Sequence, residues 1–224
     1  VKLFHEEEDL TVSILVDCSK SMASGEPQKL RYALQVAAAL SYVALCGEDR
    51  VGIYPFDGKL RRPMRPTRGR RNLPALMRYL EELQSEPGSD TNLGDCLKSF
   101  ATQRKGRGMV ILISDFLDPA GYQDALRHIS GQNTESFAIQ LLSPEELDPP
   151  ELGDLRLFDC EDNSDLKVSV NQSLLDAYQR TVQSFIAGVR ESCSKRNISP
   201  LFSSTETPFD QLVLGYLRSR GLLQ

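Results

Sequence analysis

Tryptophan is absent from this 224-residue chain, and histidine occurs only twice, at His5 and His128. Neither histidine lies near a candidate nucleophile in sequence, which weakens any reading as a Ser-His or Cys-His hydrolase. The phosphate loop G-x-x-x-x-G-K-[ST] and the nucleophile elbow G-x-S-x-G are both missing. No apolar run approaches the ~18 residues of a membrane span. Positive charge is in deficit: 26 Lys and Arg face 31 Asp and Glu, a net charge of -5. That balance argues against nucleic acid as the main partner. The five cysteines, Cys18, Cys46, Cys96, Cys160 and Cys193, include no CxxC pair. An odd, scattered set speaks against a disulfide framework or a structural zinc site and suits a reducing compartment. Cys18 and Cys96 read as small buried core residues.

What is present alternates between strand and helix patterns. Strands are expected at Leu10–Val16, Arg50–Phe56, Lys59–Met64 (after an Asp57-Gly58 hairpin turn), Met109–Ile113 and Ser136–Leu142. Apolar residues at helical spacing follow Pro27 (Leu30, Ala33, Leu34, Ala37, Leu40, Ala44, ended by Gly47). They recur at Leu73–Leu83, after Thr91, near 120–130, from Leu174 to Val189, and through Leu212 to Leu222. The stretch 143–155 reads as a Pro- and acid-rich loop. The stretch 155–170 reads as a hairpin inserted in, or extending, the sheet, and Leu201-Phe202 as a short strand. The expected architecture is a single α/β domain over 1–224: three layers, Rossmann-like, a mostly parallel sheet with helices on both faces. The chain opens on Val1 and is read as a fragment lacking upstream residues.

One local pattern carries chemistry. The first strand ends in Asp17-Cys18-Ser19-Lys20-Ser21, a carboxylate and two hydroxyls on a loop before a helix. Thr91 sits in Gly88-Ser89-Asp90-Thr91-Asn92, just ahead of another helix. Asp115 follows the most apolar strand. Hard oxygen donors on loops at strand carboxyl ends suit a small hard cation. Each residue also has a plainer reading. Ser21 and Thr91 could be helix N-caps, and Asp17 and Asp115 could merely order their loops. All of these plainer readings must hold together for the cation site to fail.

Together, Asp17, Ser19, Ser21, Thr91 and Asp115 resemble the metal-ion-dependent adhesion site of von Willebrand factor A domains. The flanking words Lys2-Leu3-Phe4-His5-Glu6-Glu7-Glu8, Asp49-Arg50-Val51-Gly52, Arg68-Gly69-Arg70-Arg71 and Ile113-Ser114-Asp115-Phe116 look like an uncharacterised bacterial family. Its von Willebrand A-like members are commonly encoded beside MoxR-type AAA+ ATPases. The resemblance implies Mg²⁺, or Mn²⁺, on the three hydroxyls, with Asp17 and Asp115 orienting them from outside. An acidic side chain of a protein partner then completes the coordination. Moving Asp115 onto the metal would weaken that bond and act as a switch.

Two features depart from this pattern. Asp90 adds a third carboxylate beside Thr91, where family members often carry a small residue; it is either a solvated loop residue or an influence on cation and ligand. Lys59 to Arg71 concentrates Arg61, Arg62, Arg65 and Arg68 with other cations. That stretch is either a solvated face or a dock for an acidic partner surface. The reading adopted is a non-enzymatic, cation-dependent protein-interaction module working with a MoxR-type AAA+ ATPase in a chaperone-like or assembly role. It is expected in the cytoplasm, with an upstream membrane anchor left open. The alternative is a metal-dependent phosphohydrolase using Asp17.

Overall fold

The run Val12-Ser13-Ile14-Leu15-Val16 is nearly continuous in apolar character, as a strand covered on both faces must be. It forms β1 (Thr11–Asp17) in the middle of a six-stranded sheet. The structure, a computed structural model, describes residues 10–85, 88–104, 106–131, 134–149, 153–158 and 165–219. The segment Lys2–Glu8, Cys160, the polar turn at 161–164 and Leu222 lie outside those residues.

After β1 come α1 (Lys29–Cys46), β2 (Arg50–Phe56), β3 (Met64–Arg68), α2 (Leu73–Ser85), α3 (Leu93–Gln103), β4 (Gly108–Ser114) and β5 (Thr134–Leu142). Then follow α4 (Pro144–Leu147), β6 (Gly153–Phe158), β7 (Asp165–Val170), α5 (Gln172–Ser194), β8 (Ile198–Ser204) and α6 (Phe209–Ser219). The sheet order is β3-β2-β1-β4-β5-β8, parallel throughout except for β3, which runs antiparallel to β2 at one edge.

The two-residue period of the strands sorts the core into two halves. Ile14, Val16, Met109, Ile111 and Ile113 face one side, where α1, α2 and α6 bring Leu34, Leu40, Leu76, Leu80 and Tyr216. Leu15, Val110 and Leu112 face the other, against Leu97 and Phe100 of α3 and Val189 and Cys193 of α5. This is the three-layer α/β fold expected from the sequence.

Four local expectations change. The helix expected near 120–130 is only a 3-10 turn, Ala125–His128. Gly121 adopts φ 84, which a continuing helix cannot use, and Asp118 spends its carboxylate on the Ala120 and Leu93 amides. The strand after β2 begins at Met64 instead of Lys59. Asp57 there accepts from Arg61 and the Lys59 amide, and Pro63 has no N–H to offer a ladder. The loop after β5 contains α4, where Pro144 opens the helix and Ser143 and Glu146 form a capping box. β6 and β7 pair with each other in a two-stranded sheet of their own, not as an extension of the main one.

Candidate metal centre

β1 and β4 are neighbours, and the chain leaves β1 for β2 on one side and β4 for β5 on the other. The carboxyl ends of such a pair splay apart at a topological switch point, where open α/β sheets bind ligands. Asp17 is the last residue of β1 and Asp115 the first after β4, and both are fully buried. They are linked through Ser114, whose hydroxyl donates to Asp17 Oδ2 at 2.6 Å. Asp17 Oδ1 accepts the Ser19 amide at 3.0 Å, a turn that aims the Ser19 side chain. Ser19 Oγ and Ser21 Oγ lie 3.1 Å apart, both on buried residues.

The Thr91 loop is pressed onto this one. The Lys20 amide donates to Ser89 O at 3.0 Å, and Lys20 Nζ meets Asp90 Oδ1 at 2.9 Å on the rim. Gly88 makes the approach sterically feasible: a Cβ there would lie 2.3 Å from Cys18 O and 2.7 Å from the Ser19 carbonyl carbon. Thr91 is not the helix cap. Asn92 caps α3 by accepting the Asp95 amide at 2.9 Å, and Asp118 takes the Leu93 amide at 2.7 Å. Thr91 Oγ1 is buried with no hydrogen-bond partner among the described residues. An orphaned buried hydroxyl costs about 1–3 kcal/mol, a cost that a bound ligand atom at this position would remove.

Sequence reasoning overlooked Lys29. Its ammonium is fully buried and donates to Asp115 Oδ2 at 2.8 Å and to Glu146 of α4. Burial pulls the lysine pKa down, but the two carboxylates outweigh it and hold the group above the usual lysine value. A signal did exist: a lysine in the first turn of α1, with no acidic residue there, opposes the helix dipole. Asp115 Oδ1 accepts the Leu117 amide at 3.0 Å, and Phe116 between them takes φ 62. A buried non-glycine residue in that region stores about 1–3 kcal/mol of strain beside the site.

Asp57 was also missed as a site-supporting residue. It accepts from Arg61 Nε at 3.0 Å and from the Ser89 amide at 3.2 Å, and its backbone oxygen accepts the Asn92 amide at 3.1 Å. It thereby holds both sides of Thr91. Arg61 consequently points inward, whereas Arg62 and Arg65 are exposed and Arg68 approaches Glu48 at 3.7 Å.

Among the described residues no three His, Cys, Asp or Glu side chains gather as a metal cluster. Any cation here must be held largely by hydroxyls, and Ser19, Ser21 and Thr91 with two flanking carboxylates suit Mg²⁺ or Mn²⁺ in donor type. Cys96 offers no soft alternative, since burial and the surrounding carboxylates push its thiol up to about 12.

Fold and loops together define a three-layer α/β domain whose hydroxyl- and carboxylate-bearing loops converge at the sheet's switch point. The chain belongs to the family described as "Protein of unknown function DUF58", which matches residues 1–185. It is similar to the uncharacterized protein Rv1480 of Mycobacterium tuberculosis (strain ATCC 25618 / H37Rv), 27% identical over 186 residues. That match covers 82% of this chain but 58% of the relative, so the chain spans under two thirds of that protein's length. Among solved structures it is similar to an aerotolerance-related membrane protein from Bacteroides fragilis NCTC 9343. The TM-score there is 0.54 at 16% identity, covering 90% of this chain and 96% of that one. The conserved hypothetical protein BatB from Bacteroides thetaiotaomicron gives a TM-score of 0.53 at 15% identity, covering 87% and 90%. At these identities the likeness concerns the fold alone.

Three outcomes follow from this geometry. Lys29→Met strands the Asp115 and Glu146 charges and should lower stability by about 3–5 kcal/mol in urea unfolding, with part recovered in Lys29→Met/Asp115→Asn. Full stability in the single variant would mean that the buried pair is not formed. Gly88→Ala must push the two loops apart and should weaken cation binding more than it shifts the melting temperature. The third concerns pH. Burial first, then the nearby Asp115 charge, raises Asp17 from 3.8 to about 7. Between those values the folded state binds more protons than the unfolded one, so stability falls as pH rises through that window. In chelator, the wild-type melting temperature should drop from pH 4 to pH 7 relative to Asp17→Asn; a parallel course would show Asp17 ionised throughout.

Proposed function

We propose that this chain is a divalent-cation-dependent protein-interaction module, with Mg²⁺, or Mn²⁺ in its stead, held by Ser19, Ser21 and Thr91. The single observation that carries this reading is the buried Thr91 hydroxyl, free of any cap role and without a partner among the described residues. The cation would supply a Lewis-acidic position able to accept a carboxylate oxygen from a partner protein. The chain's own residues arrange it. Asp17, held by Ser114, orients the Ser19 turn, and Asp115 is kept in place by Lys29. A donor set that is neutral where it touches the metal leaves that metal avid for an anionic ligand.

A MoxR-type AAA+ ATPase as partner, a chaperone-like or assembly role and a cytoplasmic location extend this proposal, and they rest on the resemblance of the flanking words. Among the described residues no helix is long and apolar enough to cross a membrane. The phosphohydrolase alternative loses ground because Asp17, its required nucleophile, is fully buried with both oxygens hydrogen-bonded.

Calorimetry on chelator-stripped protein tests the reading. Wild type should bind Mg²⁺ or Mn²⁺ at millimolar concentration or tighter. Thr91→Ala should lose about tenfold or more in affinity, equivalent to about 1.4 kcal/mol. Its melting temperature should move by no more than about 2–4 °C, the shift that about 1 kcal/mol gives a domain of this size. Absence of binding by the wild type, or full affinity in Thr91→Ala, would overturn the coordination. Capture of a purified MoxR-type ATPase that is abolished by chelator would support the partner assignment.

A further inference from the structure

A second recognition surface lies at the β3 edge of the sheet, away from the hydroxyl loops. A groove of ≈ 1080 Å³ opens there, with Arg61, Arg62, Arg65, Arg78, Tyr54 and Tyr79 among its lining residues. Arg62 and Arg65 come from the connection into β3 and from β3 itself, and Arg78 comes from α2. All three are exposed, and none has a side-chain hydrogen bond or ion pair among the described residues. Arg61 is instead committed to Asp57 and sits at the inner wall. The walls include one acidic side chain, Glu82. Three unpaired guanidinium groups therefore converge on one concave surface in a chain whose net charge is -5.

We propose that this groove binds an acidic segment of a partner protein, with Arg62, Arg65 and Arg78 pairing its Asp and Glu carboxylates. Guanidinium groups match carboxylates in a two-pronged geometry, which makes arginine suited to reading acidic peptides. At ≈ 1080 Å³ the groove exceeds the volumes usual for small-molecule sites, about 300–1,000 Å³, and it is open at the surface, as a peptide requires. Nucleic acid fits less well because both tyrosines are half-buried and already engaged, which leaves little ring surface for a base to stack on. Tyr54 packs edge-on against Phe100 with ring centroids 4.9 Å apart, and Tyr79 donates its hydroxyl to Arg62 O at 2.5 Å. Pro66 within the exposed edge strand hinders addition of a further strand, so recognition falls to side chains. The surface is independent of the cation centre, although the Asp57–Arg61 pair joins its inner wall to the Thr91 loop.

Fluorescence anisotropy with a labelled oligo-glutamate peptide, on the full chain in chelator, tests the proposal. Binding should weaken with salt and fall by about tenfold or more in Arg62→Ala/Arg65→Ala/Arg78→Ala. It should be unchanged in Thr91→Ala and in Arg180→Ala/Arg190→Ala, which removes two exposed cations of α5. Failure of this test and failure of the cation reading are thus separable. No binding at low salt, or an equal loss in the α5 variant, would overturn the groove. So would tighter, groove-dependent binding of a single-stranded oligonucleotide, which would reassign the surface to nucleic acid. A triple variant with a wild-type melting temperature but undiminished peptide binding would overturn it as well.

Discussion

A buried ammonium holds the carboxyl end of the central strands together. Lys29 stands at the start of α1, yet its side chain reaches Asp115 at the end of β4 and Glu146 in α4, three elements distant in sequence. Taking such charges out of water costs several kcal/mol per ion, and the arrangement survives only because both carboxylates answer one cation. Its value lies less in net stability than in definiteness. With Lys29 in place, Asp115 has one oxygen on the ammonium and the other on the Leu117 amide. A carboxylate so fully engaged cannot drift toward a neighbouring hydroxyl loop without breaking bonds of known identity.

The same pairing extends outward. Glu146 also closes the capping box of α4, and its backbone oxygen accepts the Tyr178 hydroxyl of α5 at 2.9 Å. α4 and α5 are therefore linked to Asp115 through the Lys29 ammonium, which pairs with both carboxylates. On the opposite flank Asp57 plays a comparable part, joining the arginine-lined edge to the loop that carries Thr91. The switch point is thus braced by the two Lys29 ion pairs on one flank and the Asp57–Arg61 pair on the other, each flank anchoring a different loop. Between them lie the side chains that no helix or strand needs for its own hydrogen bonds.

The sequence by itself determined the alternation of strands and helices, because two buried faces impose an apolar run on each strand and one buried face imposes helical spacing on each helix. It also determined the Asp17, Ser19, Ser21, Thr91 and Asp115 loops, since a strand end followed by a helix start is a local arrangement. Tertiary structure decided everything that depends on partners far along the chain. Lys29 reads as an ordinary surface lysine until residues 86 and 117 positions away supply its carboxylates. Thr91 can be read as a helix cap as well as a cation ligand until Asn92 and Asp118 are seen to do the capping. Arg61 reads as one of a basic set, either solvated or a dock for an acidic surface, until Asp57 draws it inward, leaving Arg78 of α2 to complete the exposed cluster. Pattern along the chain reports which surface a residue turns to the core; it carries no term for charges brought together across the fold.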